Sequence, residues 1–317
     1  MSRQLGRGKA HAKAILLGEH AVVYGHPAIA VPVLSLQAWA EARFDPSLDD
    51  IIIELPHNGR AYSLQRDPQQ PLVQAAALIL QHLGATASNL RIRLRSQIPA
   101  ASGLGSSAAV AAALIRAVSN LFDAKLRPAT LSELVFQVEQ VQHGTPSGID
   151  NTVIAFERPV YFRKGQPPCF LPLPVPLHLV LADSGRPSLT RESVAAVREQ
   201  REQDPAHVDA VLSCLGALAE EGRQALEQGD LVALGRCLSA AHELLAAIQV
   251  SNESLDRLVA AALEAGALGA KLTGGGRGGH VIALVEPESA EPVVEALRSA
   301  GAARATLCRI GRGCRVQ

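Results

Sequence analysis

The stretch from Leu90 to Leu121 constrains the fold more than any other part of the sequence. Leu90, Ile92 and Leu94 alternate with Arg91, Arg93 and Arg95, the period of a strand with one wet face. Antiparallel sheets commonly keep such a face, whereas all-parallel sheets are covered on both sides. Directly behind the strand stands Pro99-Ala-Ala-Ser-Gly-Leu-Gly-Ser-Ser-Ala-Ala109, followed by an Ala- and Leu-rich run, Ser107–Leu121, that reads as a helix. Gly103 and Gly105 let the backbone approach a ligand closely, and the helix start behind them offers unpaired N–H groups and a positive dipole end. This makes a seat for phosphate oxygens, with Ser106 or Ser107 in reach of a magnesium ion.

Two other readings compete for the same letters. Gly103–Ala108 also fits the dinucleotide fingerprint G-x-G-x-x-A. That fingerprint follows a strand buried on both faces, which the three arginines contradict. A purely structural turn stays open at this point. The sequence holds no G-x-x-x-x-G-K-[ST], so a P-loop enzyme is excluded.

Composition narrows the class. Lys+Arg and Asp+Glu both total 30, a zero formal net charge that argues against a polyanion-binding protein. Cys169, Cys214, Cys237, Cys308 and Cys314 number odd and form no C-x-x-C pair, which argues against a disulfide framework and a zinc site. The N-terminal MSRQLGRGKAHAK is basic with no apolar stretch directly behind it, unlike a signal peptide. The runs Ala28–Ala40, broken by Pro32, and Ala108–Val118 fall short of the ~20 apolar residues of a membrane span. A cytoplasmic protein of two domains, with no nucleic-acid or membrane partner, is the expectation.

Strands are expected at Lys13–Leu17, Ala28–Val33, Ile51–Leu55, Leu177–Ala182, His280–Val285 and Ala305–Ile310. Thr130-x-x-Glu133 reads as a capping box opening a helix, and Gly144 as the glycine that stops it. Long Ala/Leu helices run to about Ala265, and another covers Ala290–Ala300. Pro167–Pro176 is the expected crossing between domains.

Four further features carry chemistry. His143–Asp150 is a Gly/Pro/Ser loop ending in an acid; Asp150 serves either an acceptor hydroxyl or the cap of a helix starting at Asn151. Glu139 is an ordinary surface Glu unless Ser107 is near, in which case hydroxyl, carboxylate and phosphate oxygens suit magnesium. Lys13 precedes an apolar strand that Gly18-Glu19-His20 closes, and neither Lys13 nor His20 is decisive alone. Gly274-Gly-Gly-Arg-Gly-Gly279 is either a turn or a backbone brought against a ligand, with Arg277 able to touch a phosphate.

Taken together these segments resemble the GHMP kinases, the family of galactokinase, homoserine kinase, mevalonate kinase and phosphomevalonate kinase. Its three motifs occur in order, as Lys13–Gly25, Pro99–Ala109 and Lys271–His280, and the resemblance covers nearly the whole chain. Gly18-Glu-His-Ala-Val-Val-Tyr-Gly-His-Pro-Ala-Ile-Ala30 resembles the mevalonate kinases within it, and Ala10-His-Ala-Lys13 their bacterial type. The resemblance implies a two-domain α+β fold: a ribosomal protein S5 domain 2-like ATP-binding domain over 1–170 and a ferredoxin-like domain over 171–317. It implies ATP and Mg2+ as cofactors, C5 phosphorylation of mevalonate as the reaction, and is compatible with a homodimer. Phosphomevalonate or another hydroxy acid is the alternative substrate, and a non-catalytic binding protein the alternative class.

Residue by residue, the resemblance makes Lys13 and Asp150 the catalytic pair and Ser107 with Glu139 the metal ligands. It places ATP against Pro99, Ala101, Ser102, Gly103, Leu104, Gly105, Ser106, Ser107 and Ala108, supported by Gly274, Gly275 and Gly276. Mevalonate falls to Glu19, His20, Ser147, Gly148 and Thr190. Gly275, Arg277 and His280 depart from the residues more common in the third motif.

Overall fold

A computed structural model describes residues 4–143 and 146–311. The chain forms two compact units. One is built from the chain up to Ala12, Ser35–Pro99 and Gly105–Glu157; the other from Lys13–Leu34, Ala100–Leu104 and the chain from Arg158 onward. Two long strands, β1 (Leu5–Leu17) and β2 (Ala28–Phe44), contribute residues to both.

In the first unit, β3 (Ile51–Leu55), β4 (Arg60–Ser63) and β5 (Leu90–Ser96) join β2 in the order β4-β3-β5-β2. The β5 strand runs antiparallel to β2 and parallel to β3. Its alternation has the expected result: Leu90, Ile92 and Leu94 are buried, while Arg91 pairs with Asp45 at 2.7 Å and with Glu54, and Arg93 pairs with Glu54 at 2.8 Å. Helices α1 (Pro71–Leu83), α2 (Ser106–Leu121), α3 (Pro128–His143) and α4 (Ile149–Phe156) pack together in this unit.

Small residues bring α2 onto β1. A Cβ on Gly6 or Gly8 would stand 2.1 Å from the carbonyl oxygen of Ala117 or Ala113, so no side chain fits at either strand position. The carbonyls of Arg7 and Lys9 accept from Asn120 Nδ2 at 2.7 Å and Arg116 Nη1 at 2.6 Å. These strand groups therefore find partners on the helix, while β1 pairs with β2 in the sheet.

In the second unit, the start of β2 pairs with β6 (Val160–Phe162), and β6 pairs with β7 (Cys169–Phe170). The proline-rich 167–176 segment lies wholly inside this unit. Helices α5 (Thr190–Gln203), α6 (Pro205–Gln228), α7 (Leu231–Ala247) and α8 (Glu253–Glu264) follow β8 (Leu177–Asp183). Then come β9 (Gly269–Thr273), β10 (His280–Val285), α9 (Ala290–Ser299) and β11 (Arg304–Ile310). The second sheet has the order β11-β8-β10-β9, antiparallel throughout, which is the βαββαβ ferredoxin-like arrangement with extra helices after its first strand. Among the described residues, no helix is long and apolar enough to cross a membrane.

Several boundaries differ from the sequence reading. The first strand begins at Leu5 rather than Lys13, and Gly6 and Gly8 within it serve close packing against α2. The second passes through Pro32, which lies between the residues paired with β6 and those paired with β5. The α3 helix starts at Pro128, where a missing N–H costs nothing, so Thr130 and Glu133 lie within its first turns. Gly144, expected to stop α3, lies outside the described residues.

The substitution Gly8→Ala is expected to lower stability by about 1–3 kcal/mol. The check is the urea midpoint at unchanged slope, and an unaltered midpoint would mean that α2 does not press on β1.

Candidate active site

The backbone carbonyls of 101–104 each face a donor outside the segment. Ala101 accepts from the Ser188 N–H at 2.6 Å, and Leu104 from the Lys13 N–H at 3.0 Å. Gly103 accepts from Lys13 Nζ at 3.0 Å. Ser102 accepts from His280 Nδ1 at 3.1 Å. A carbonyl can only accept, so Nδ1 of His280 carries the proton; burial pushes this imidazole below its ordinary pKa and keeps it neutral. With its oxygens engaged by surrounding strands and loops, and the Leu104 N–H turned to Ser102 Oγ at 3.4 Å, the segment has the N–H groups of Ala101, Ser102 and Gly103 to offer, which is the polarity an anion needs.

The shape is held at close quarters. A Cβ on Gly103 would stand 2.6 Å from the Thr273 carbonyl, and one on Gly274 would stand 2.6 Å from Gly103 Cα. The two glycine-rich loops thus meet backbone to backbone. Thr273 Oγ1 in turn donates to Ile15 O at 2.9 Å and accepts from Ile15 N at 3.0 Å, fixing β9 to β1.

At the end of β1 the chain turns through Gly18, Glu19 and His20. Glu19 and Lys271 are both almost wholly buried and form an ion pair. Burial pushes the Glu19 carboxyl up and the Lys271 ammonium down, and each partner's charge opposes the other's shift. Glu19 Oε2 has no hydrogen-bond partner. His20 has a φ of 60°, rare for a residue with a side chain, and its Nε2 donates to the Gly275 carbonyl at 3.0 Å. Burial lowers the His20 imidazole to about 4, so it is neutral near pH 7. Thr190, the exposed first residue of α5, borders Gly275: a Cβ there would stand 3.1 Å from Thr190 Oγ1. Glu19, His20, Gly275 and Thr190 are therefore brought together in one unit.

In the other unit, Ser106 and Ser107 open α2, with Gly105 as its left-handed cap. Ser107 Oγ stands 2.6 Å from Glu139 Oε1 and 2.5 Å from Gln142 Oε1, both on α3. Glu139 is 5% exposed, so it is not the surface carboxylate that its position alone suggested. Asp150 is not a helix cap. Gly148 caps α4 and Asp150 is the second residue of its first turn. That turn is anchored by Asn151 Nδ2 to Ser132 Oγ at 2.8 Å and by Thr152 Oγ1 to Gly148 O at 2.7 Å. Ser147 Oγ accepts from Ile149 N at 3.4 Å.

Residues 71–158 match the GHMP kinases N terminal domain, and 223–303 match the GHMP kinases C terminal domain. The mevalonate kinase of Thermococcus sibiricus is 37% identical, with 92% of each chain covered. This chain belongs to the mevalonate kinases of the GHMP kinase family. The crystal structure of L. major mevalonate kinase in complex with R-mevalonate superposes with a TM-score of 0.84 at 27% identity, covering 99% of both chains. The mevalonate kinase of Staphylococcus aureus MRSA252 gives 0.71 at 30% identity, over 96% of this chain and 98% of that one. The bacterial type read from Ala10–Lys13 is not what these relatives support: the archaeal mevalonate kinase of Thermococcus sibiricus is 37% identical and the Staphylococcus aureus one 30%.

Arg277 is bonded to main-chain carbonyls of its own unit. Its Nε donates to Gln249 O at 3.2 Å and its N–H to Val250 O at 2.7 Å, tying the third motif to the turn after α7. Sequence reasoning did not single out Lys271, Thr273, Ser188 or Gln142 for a role. Lys271 alone carried a signal, as a charge between Ala270 and Leu272 in a short strand; the others act through backbone or local contacts that leave no pattern.

His20 takes up a proton in the unfolded chain below pH 6.5 but in the folded chain only near 4. Its share of stability is therefore complete above pH 6.5 and is lost as the pH falls toward 4, by roughly 2 kcal/mol at pH 5. Urea titrations of wild type and His20→Gln at pH 7.5 and 5 should show the variant losing less stability on acidification; parallel losses would contradict the buried neutral imidazole.

Proposed function

We infer that the protein phosphorylates (R)-mevalonate at its C5 hydroxyl, with ATP as donor, to give 5-phosphomevalonate in the cytoplasm. The observation that carries this reading is the 101–104 segment, with its carbonyls engaged and the Lys13 ammonium at Gly103, in a chain of mevalonate kinase kinship.

The roles follow from the chemistry of each group. The segment from Pro99 through Ala101, Ser102, Gly103, Leu104 and Gly105 to Ser106, Ser107 and Ala108 receives the triphosphate on N–H groups that follow Pro99, which itself has none, with Gly274, Gly275 and Gly276 supporting it. Ser107 and Glu139 suit a magnesium ion, since a hydroxyl and a buried carboxylate converge there. Among the described residues no group of three or more His, Cys, Asp or Glu is gathered. Phosphate oxygens and water would complete the shell, the usual manner of magnesium, and the ion would neutralise charge on the β- and γ-phosphates.

Asp150 orients the C5 hydroxyl and accepts its proton. The freed oxygen bonds to the γ-phosphorus as the bond to the ADP oxygen breaks. Lys13 supplies positive charge where negative charge develops. A loose transition state asks little of a base, so positioning carries most of Asp150's effect. Glu19, His20, Ser147, Gly148 and Thr190 are the residues assigned to mevalonate, and His20 is held by its bond to the Gly275 carbonyl.

A coupled assay of ADP release tests this. Wild type should turn over only with (R)-mevalonate present. Asp150→Asn should lower kcat by about 10²–10⁴, and Lys13→Met by about 10²–10³, while Asp150→Asn still binds nucleotide. Full activity in Asp150→Asn, or ADP release indifferent to mevalonate, would overturn the assignment.

A further inference from the structure

Ser188 lies in the loop between β8 and α5, 2% exposed, and belongs to none of the three motifs. It donates twice, and the two acceptors lie in different glycine-rich loops. Its N–H goes to Ala101 O at 2.6 Å, at the entry to the phosphate segment. Its Oγ goes to Gly276 O at 2.8 Å, in the third motif.

Both acceptor residues sit in backbone that needs holding. Ala101 has a φ of 51°, costly for a residue with a Cβ, and Gly276 a φ of 75°. Gly279 also presses on the loop: a Cβ there would stand 2.9 Å from Ser188 Cβ and 2.7 Å from Ser102 O. The loop is laced to the same stretch by Gly279 N to Arg186 O at 2.7 Å and Ser184 N to Gly279 O at 2.9 Å. Of these ties, only the Ser188 hydroxyl is a side chain that a substitution can remove while leaving the backbone in place.

We propose that Ser188 is a positioning residue for the nucleotide, its hydroxyl bracing the third glycine loop against the phosphate segment so that the amides of 101–103 are set before ATP arrives. It touches neither substrate nor the reacting atoms. This rests on the reading of that segment as the phosphate seat. The consequence is a selective one. Loss of the hydroxyl frees the Gly276 carbonyl and loosens the backing of Gly103, while Lys13, Asp150 and the mevalonate side keep their own contacts.

The test compares wild type, Ser188→Ala and Ser188→Thr, reading the dissociation constant of magnesium–AMPPNP directly and the two KM values with kcat by ADP release. Ser188→Ala should bind AMPPNP about tenfold more weakly, the size of one lost buried hydrogen bond, and raise KM for ATP alike. Its kcat at saturating ATP should stay within about threefold of wild type, the mevalonate KM should be unchanged, and Ser188→Thr should recover the affinity. Wild-type AMPPNP affinity in Ser188→Ala overturns the proposal, as does a parallel loss of kcat and of both affinities, which marks general disruption. If Ser188→Thr does not fold, the AMPPNP affinity of Ser188→Ala, measured with its unfolding midpoint, decides alone. AMPPNP binding does not depend on the acceptor, so a wild type inert toward mevalonate would sink the substrate reading and leave this test intact.

Discussion

The hydrogen bonds of Lys13 tie the 101–104 segment to β1. Its N–H continues the pairing of β1 into Leu104, and its ammonium reaches back to Gly103. An ammonium that is 2% exposed must find acceptors, and a loop of carbonyls supplies them at no cost in side-chain order. The same bonds engage two of the segment's four carbonyls, while Ser188 and His280 engage the other two. Lys13 thus helps to order the loop and brings a positive charge to it. A lysine on a flexible surface strand would do the second without the first.

The Glu19–Lys271 pair shows the same logic with higher stakes. Two charges taken out of water cost several kcal/mol each, and their attraction recovers this only with good geometry and further hydrogen bonds. Lys271 has a second acceptor in its neighbour's carbonyl, Leu272 O at 2.6 Å, whereas Glu19 Oε2 has none. The pair is therefore a poor device for stability alone. It fixes β9, which carries the third glycine loop, to the turn that carries His20, and His20 in turn holds Gly275. Burial sets both ends of this chain: it forces the charges to pair and keeps the imidazole neutral, and the Gly275 carbonyl, which can only accept, places its single proton on Nε2.

Much of this was legible. Ile51–Leu55, the alternating β5 and His280–Val285 follow from period and composition, because burial on one face or both writes itself into the residue pattern. The three glycine motifs were legible for a similar reason, since close backbone approach admits few other residues. The division into units was not. The segments 13–34 and 100–104 belong with the chain from Arg158 onward, and contacts so distant in sequence leave no local composition change. Asp150 was ambiguous because a carboxylate suits both the cap and the first turn of a helix; Gly148, in a left-handed conformation, took the cap. Ser188 and His280 were illegible as partners because their acceptors are main-chain carbonyls, which every residue has.

Strain is concentrated where these partners meet. Among the described residues, His20, Ala101, Gln249 and Arg277 are four of six non-glycine residues with positive φ, and all four lie along the glycine loops or the turn that backs them. Each such conformation costs of the order of 1–3 kcal/mol and persists only when its surroundings over-determine it. Here each has its tie: His20 to Gly275, Ala101 to Ser188, and Arg277 to Val250 and Gln249. Strained backbone held from several sides has few alternative shapes to relax into. The ordering that a slack glycine-rich segment would undergo on meeting any ligand has here been completed in folding.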